Sequence, residues 1–280
     1  MKTRRWALGA GLAVAGCAAV PNENSGTTPG PGPGAPPAGL GNEPKAGAPP
    51  SVGSHPPTDE EARGNGVLRP ADILLNRAMA AAGGEIALSH ARVLIWTGDA
   101  SVFAGDKRID LSVETVVEPF TYALSDTWLR DQGRATLRTL EIDGGQGWLT
   151  RDGKTEALPG AILAHERQQY ATYGLMRLVT LRDSGAVFST PAGQSGARIL
   201  EVHHPFAADS RLYFAPAGRL TALENTVVAP DGGKAIAQRF EFSGEIASAG
   251  VRWPRRLVLT QEGKPYFTLA LKTFTARTTR

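Results

Sequence analysis

The sequence predicts an α+β domain: a strongly curved antiparallel half-barrel of about ten strands with helices covering its mouth. Three observations lead there. From residue 91 almost to the C-terminus, runs of alternating apolar and polar residues recur between Gly- and Asp-rich turns. Only two segments carry a helical spacing, at 70–82 and at about 159–181. A sheet that long cannot stay flat, because strands twist against one another and large sheets curl or close.

The first helix opens at Pro70, places Ile73, Leu74, Arg77, Ala78 and Ala81 near one face, and stops at Gly83-Gly84. Residues 86–88 add a short turn. Strands follow at 92–104 and 107–118, joined by Gly105-Asp106, a pair suited to a tight hairpin. In the second of these, Ile109, Leu111, Val113 and Val117 alternate with Asp110, Ser112, Glu114 and Val116, so one face of the sheet is wet. Further strands are predicted at 120–130, 134–142 and 147–151. The second helical segment carries Ile162, His165, Gln169, Tyr173 and Met176 on one stripe, and Gly174 is expected to weaken or break it. The remainder reads as strands at 198–203, 210–214, 219–228, 235–242, 255–261 and 266–276.

Ahead of this domain the composition changes. The chain has 280 residues with 20 prolines, 33 glycines and one cysteine. Eleven of the prolines and eight of the glycines fall in residues 21–57, which hold three charges and no aromatic residue. Such a segment buries too little apolar surface to offset the entropy of ordering. It is a spacer in this reading, and the Pro-Gly pairs at 29–34 lack the basic flank and PxxP spacing of a proline-motif ligand. The formal charge of +3 comes from Lys2, Arg4 and Arg5; without them 27 basic side chains face 27 acidic ones. A neutral domain offers no basic stripe for a nucleic-acid backbone, and no nucleic-acid partner is expected.

The extreme N-terminus is built for export. Positive residues 1–5 precede an apolar run, 6–16, that is shorter than the ~20 residues a bilayer-spanning helix needs. Val14-Ala15-Gly16-Cys17 resembles the lipobox of a bacterial lipoprotein signal. The resemblance implies cleavage before Cys17 and attachment of acyl chains such as palmitate to it. Cys17 is then a membrane anchor, stable because several chains add about 0.8 kcal/mol per buried CH2. Ala18 favours the outer membrane by the same resemblance. Residues 3–8 partly match a twin-arginine signal, so either export route stays open. The domain organisation is a lipoprotein signal peptide at 1–16, the lipidated cysteine with its Pro/Gly linker at 17–57, and a periplasmic domain at 58–280.

Within that domain, four turn signatures occur in order. They are Ala81-Ala82-Gly83-Gly84, Ile142-Asp143-Gly144-Gly145-Gln146-Gly147-Trp148, Tyr213-Phe214-Ala215-Pro216-Ala217-Gly218-Arg219-Leu220 and Gly250-Val251-Arg252-Trp253-Pro254-Arg255-Arg256-Leu257. With them the segment from about 73 to 274 resembles the LolA/LolB-like superfamily of bacterial lipoprotein carriers and lipid-carrier lipoproteins. The resemblance implies a sheet wrapped around an apolar cavity that accepts acyl chains, and it carries over no catalytic residue.

Nothing in the residues selects a reaction. His165-Glu166 opens like a zinc-protease helix, yet Gln169 occupies the position of the second histidine, so no metal is expected. Gly193-Gln194-Ser195-Gly196-Ala197 lacks the closing glycine and the strand-to-helix context of a nucleophile elbow. His203 and His204, adjacent in a strand, point to opposite sides and cannot chelate one ion. Asp126, Asp131, Glu141 and Asp143 have no spacing that selects an acid and base pair. The chain is expected not to be an enzyme and to need no cofactor.

The expected function is that of a membrane-anchored envelope lipoprotein, facing the periplasm from the outer membrane. It would bind or carry a lipid or an acylated protein in lipoprotein sorting or lipid transfer. The cavity lining is expected to be Leu111, Val113, Leu124, Trp128, Phe214, Phe240, Leu259 and Leu269, with Met176 from a covering helix. The alternative is a non-carrier interaction module on the same fold, an envelope scaffold or stress sensor that docks a protein partner.

Overall fold

The computed structural model describes residues 68–183, 185–191 and 198–280. Cys17, the Pro/Gly-rich residues 21–57, residues 58–67 and residues 192–197 with Ser195 lie outside them.

Helix α1 (Pro70–Ala81) starts on a proline, and the Arg69 side chain reaches forward to Asp72, with Nε donating to Oδ2 at 2.8 Å. Its buried stripe is Ala71, Leu74, Leu75, Ala78 and Met79, at helical spacing, whereas Ile73 is exposed. The apolar face is therefore rotated by about one residue from the one the sequence suggests. Helix α2 (Glu85–His90) follows directly. Gly83, with φ of 119°, lets the chain turn between them, and a Cβ there would stand 2.0 Å from the Gly250 carbonyl oxygen. Two of the four turn signatures thus meet in space, and Arg252 N–H donates to the Ala82 carbonyl at 2.9 Å.

Strands β1 (Val93–Ala104), β2 (Lys107–Glu118), β3 (Tyr122–Leu129), β4 (Arg138–Asp143), β5 (Gln146–Arg151) and β6 (Lys154–Ala157) form one antiparallel meander. Helix α3 (Gly160–Met176) crosses to β7 (Val187–Ser189), β8 (Ile199–His203), β9 (Ser210–Phe214), β10 (Leu220–Val227) and β11 (Ile236–Ser243). A two-stranded ribbon, β12 (Ile246–Ser248) and β13 (Val251–Trp253), precedes β14 (Arg256–Gln261) and β15 (Lys264–Arg277). The main sheet has the order β6-β5-β4-β3-β2-β1-β15-β14-β11-β10-β9-β8-β7: among the described residues, an open, antiparallel sheet of 13 strands, where about ten were expected. The short edge strands account for the difference. β6 is exposed along its whole length and β7 has three residues, so neither shows the alternation that marks a half-buried strand.

The long strands β1 and β15 join the two halves. Their register shifts between Thr97 and Gly98, where β15 carries an extra residue. Such a bulge flips the parity of the strand, so Phe267, Leu269 and Leu271 on one side of it and Phe274 and Ala276 on the other are all buried.

Helix α3 runs unbroken through Gly174, contrary to the sequence expectation. The glycine is a seat: a Cβ at this position would come within 2.2 Å of the Phe120 ring. Phe120 itself sits in the β2–β3 turn at φ 75°.

Candidate functional site

One face of the sheet is covered by the helices, and cross-strand register sorts its side chains into rows. The longest row is apolar and crosses eight strands: Leu200, Leu212, Leu223, Phe240, Leu259, Phe267, Val102 and Ile109 are successive direct partners. Beside it runs a second, Phe242, Leu257, Leu269, Ala100, Leu111 and Leu129. Together they make a continuous apolar band.

Seven of the nine residues expected to line a cavity stand on this face or beneath it: Leu111, Val113, Phe214, Phe240, Leu259 and Leu269 from the sheet and Met176 from α3, all buried. Leu124 and Trp128 do not. The buried residues of β3 are Ala123, Ser125 and Thr127, so Leu124 and Trp128 project from the other face, where Arg134 lies 4.4 Å over the Trp128 ring. The physical reason is volume. Ser125 belongs to the row of Trp96 and Thr115, and Tyr173 of α3 packs on Trp96 with ring centroids 4.9 Å apart. Small side chains fit beneath two large rings, and Thr115 and Ser125 satisfy each other at 2.9 Å.

Among the described residues, Tyr173, Leu175 and Met176 of α3 are buried in one apolar cluster with the inner side chains of the sheet. The voids beneath the helices include ones of about 40 Å³ and 10 Å³, both lined by Met176, and one of about 20 Å³ lined by Arg167 and Tyr170. Pockets that hold small molecules are roughly 300–1,000 Å³. These voids are far below that range.

The underside of α3 is unusual in being polar. Glu166, Gln169 and His165 are all buried. His165 Nδ1 donates to the Val228 carbonyl at 2.7 Å, and Val228 N–H donates to Gln168 Oε1 at 2.7 Å, which fixes the helix to the end of β10. Both carboxyl oxygens of Glu166 and the Gln169 Oε1 have no hydrogen-bond partner among the described residues, and burial pushes the Glu166 carboxyl well above the ordinary carboxylate range. On the sheet a matching polar row, Ser210, Asn225, Gln238 and Gln261, lies alongside the apolar band. Asn225 Oδ1, both amide atoms of Gln238 and Gln261 Nε2 are also without partners among the described residues. Each such orphan costs about 1–3 kcal/mol.

An aromatic clasp holds the C-terminal half of α3. Phe120 stacks on His204 at 4.4 Å and 15°, and Phe206 from the β8–β9 loop lies 6.1 Å from Phe120. The two loops come from opposite halves of the sheet and meet over Gly174. His204 is buried, which lowers its pKa, whereas its neighbour His203 is exposed with Nδ1 2.7 Å from Asp209 Oδ1. His204 lies just beyond the end of β8, so strand alternation does not set its side, and no local sequence pattern signals the clasp.

The outer face carries an open groove of about 700 Å³ across β7 to β11 and β14. Its floor is a ladder of alternating charge, Glu201, Arg211, Glu224 and Arg239, each the direct cross-strand partner of the next. Arg211 pairs with Glu201 at 2.9 Å, Arg239 binds Glu224, and the Tyr213 hydroxyl donates to Glu224. The ladder is internally neutral.

No family model and no curated protein matches the chain. Solved structures do. A LolA superfamily protein from Nitrosomonas europaea superposes on 75% of this chain and 94% of its own, with a TM-score of 0.50 at 11% identity. The fold is LolA-like. A DUF1329 family protein from Desulfovibrio piger is also similar, with 75% of this chain and 94% of its own covered, a TM-score of 0.49 and 9% identity. Identities this low establish the fold and transfer no residue role. Among the described residues, no helix is long and apolar enough to cross a membrane, and no cluster of three or more metal-ligating side chains occurs.

Proposed function

We propose that this chain is an envelope lipoprotein, anchored through Cys17, whose LolA-like domain takes up the acyl chain of a lipid or lipoprotein between the sheet and helix α3. The observation that carries this reading is the mismatch under α3. A continuous apolar band crosses eight strands, and the helix that covers it buries the Glu166 carboxyl and the Gln169 Oε1 with no partner among the described residues. Lifting α3 returns those polar groups to water and frees the band. An incoming chain then replaces Tyr173 and Met176 on the sheet, gaining about 0.8 kcal/mol per buried CH2. The closed form is the unloaded state, and no catalysis is involved.

The second reading is a non-carrier interaction module. It is favoured by the small size of the voids beneath the helices and by the groove of about 700 Å³ on the opposite face. The full chain carrying Cys17→Ser, isolated without detergent and examined by native mass spectrometry, separates the two. Co-purified lipid near one per protein supports carriage. Empty protein that also ignores added 1-monopalmitoylglycerol supports the interaction module.

A further inference from the structure

The helix-covered face holds one more row, which runs from β1 to the sheet edge: Gly98, Val113, Thr127, Arg138, Arg151 and Lys154 are successive cross-strand partners. Its last three members are cations standing side by side. Arg138 and Arg151 are half-buried and Lys154 is exposed. Adjacent strands lie about 4.8 Å apart, so the three backbone positions span roughly 10 Å on one face. Like charges placed directly opposite each other oppose pairing of the strands. Among the described residues no carboxylate forms an ion pair with any of the three. Asp152, in the β5–β6 turn, acts on Arg138 only at longer range, and Glu156 on the same face is partnered with Leu149. Arg138 Nε is buried with no hydrogen-bond partner among the described residues, and desolvation, followed by the neighbouring Arg151, lowers the pKa of its guanidinium.

Water serves Lys154 at the edge, but the desolvated Arg138 guanidinium beside Arg151 gains from a counter-ion. A carboxylate offers two oxygens and one charge, too little for three cations, whereas a phosphate monoester offers three oxygens and close to two charges. The apolar band begins on the same face, since Leu129 and Leu111 lie two residues along β3 and β2 from Thr127 and Val113. We infer that Arg138, Arg151 and Lys154 form a binding site for a phosphate group borne by an acyl chain, with the chain running onto the Leu129–Leu111 end of the band. This rests on the acyl-binding reading above and specifies the head group.

The test compares three probes on the full chain carrying Cys17→Ser: 1-palmitoyl lysophosphatidic acid, uncharged 1-monopalmitoylglycerol and inorganic phosphate, each by titration calorimetry. The expected result is that the phospholipid binds at least about tenfold tighter than the uncharged lipid, that added salt erodes this advantage, and that Arg138→Gln/Arg151→Gln removes it while leaving monopalmitoylglycerol binding unchanged. The rim variant Arg151→Gln/Lys154→Gln, which leaves the buried guanidinium in place, is expected to lose most of the same advantage and covers the case in which the first variant does not fold. Equal affinity for the two lipids overturns the head-group site and leaves acyl binding standing. Inorganic phosphate binding as tightly as the phospholipid overturns it in favour of a free-phosphate site. Failure of all three probes overturns both the site and the carriage reading.

Discussion

Tyr173 of α3 lies tilted on Trp96 of β1, ring centroids 4.9 Å apart, in the space that an acyl chain would take on this face of the sheet. The pair is a plug made by the protein itself. Removing it separates packing from binding. Tyr173→Ala is expected to lower unfolding stability by about 3–5 kcal/mol, the range for truncating a large buried ring, and to increase uptake of a palmitoyl probe. Urea unfolding and probe titration check the two effects. Loss of stability with no gain in uptake would mean that the space beneath α3 is core alone.

Gly174→Ala drives a methyl group into the Phe120 ring, and overpacking of this kind costs about 1–3 kcal/mol. Phe120→Ala in the same chain relieves the collision, so the double variant is expected to be more stable than the sum of the single effects predicts. A double-mutant cycle from denaturant melts measures the coupling. Additive effects would show that the clasp does not bear on the helix.

Two buried groups give stability a dependence on pH of opposite sign. The pKa of Glu166 is raised by burial, so the closed form holds its proton more tightly than the unfolded chain. Its contribution is complete below the ordinary value of 4.5 and is lost as pH rises through the higher, folded value. The pKa of His204 is lowered by burial. Its contribution is present above the ordinary value of 6.5 and is lost as pH falls through the lower, folded value. Glu166→Gln is expected to flatten the alkaline side of the stability profile and His204→Phe the acid side, read by thermal melts across pH 4 to 9. Profiles identical to the parent would remove both groups from the account.

Glu166→Leu is expected to stabilise the closed form at neutral pH by roughly 1–3 kcal/mol, because an orphaned polar group is replaced by an apolar one, and to slow lipid uptake for the same reason. Stopped-flow transfer of a fluorescent palmitoyl probe checks the rate. Faster uptake would assign Glu166 to holding the lid shut instead of loosening it.

Much of the sheet could be read from the sequence because its inner residues alternate strictly, as in β2, and its turns use Gly and Asp where the chain reverses. The faces were harder. In β3 the outward residues Leu124 and Trp128 are more apolar than the inward Ser125 and Thr127, because Trp96 and Tyr173 already fill the space there, and period-two reasoning chose the wrong set. β6 and β7 escaped because edge strands need no apolar face. The polar row of Asn225, Gln238 and Gln261 and the basic row of Arg138, Arg151 and Lys154 exist only through register across strands distant in sequence, and no local window contains them. The clasp of Phe120, His204 and Phe206 is illegible for the same reason: its members come from two loops that meet only when both halves of the sheet are in place.

The central claim is that helix α3 leaves the sheet when an acyl chain enters. Hydrogen exchange of the full Cys17→Ser chain, with and without 1-monopalmitoylglycerol, tests this directly. Faster exchange of the backbone amides of 160–176 in the loaded protein, with the strands of the apolar band unchanged or better protected, is the predicted result. Unaltered protection of that helix at saturating lipid would contradict the account.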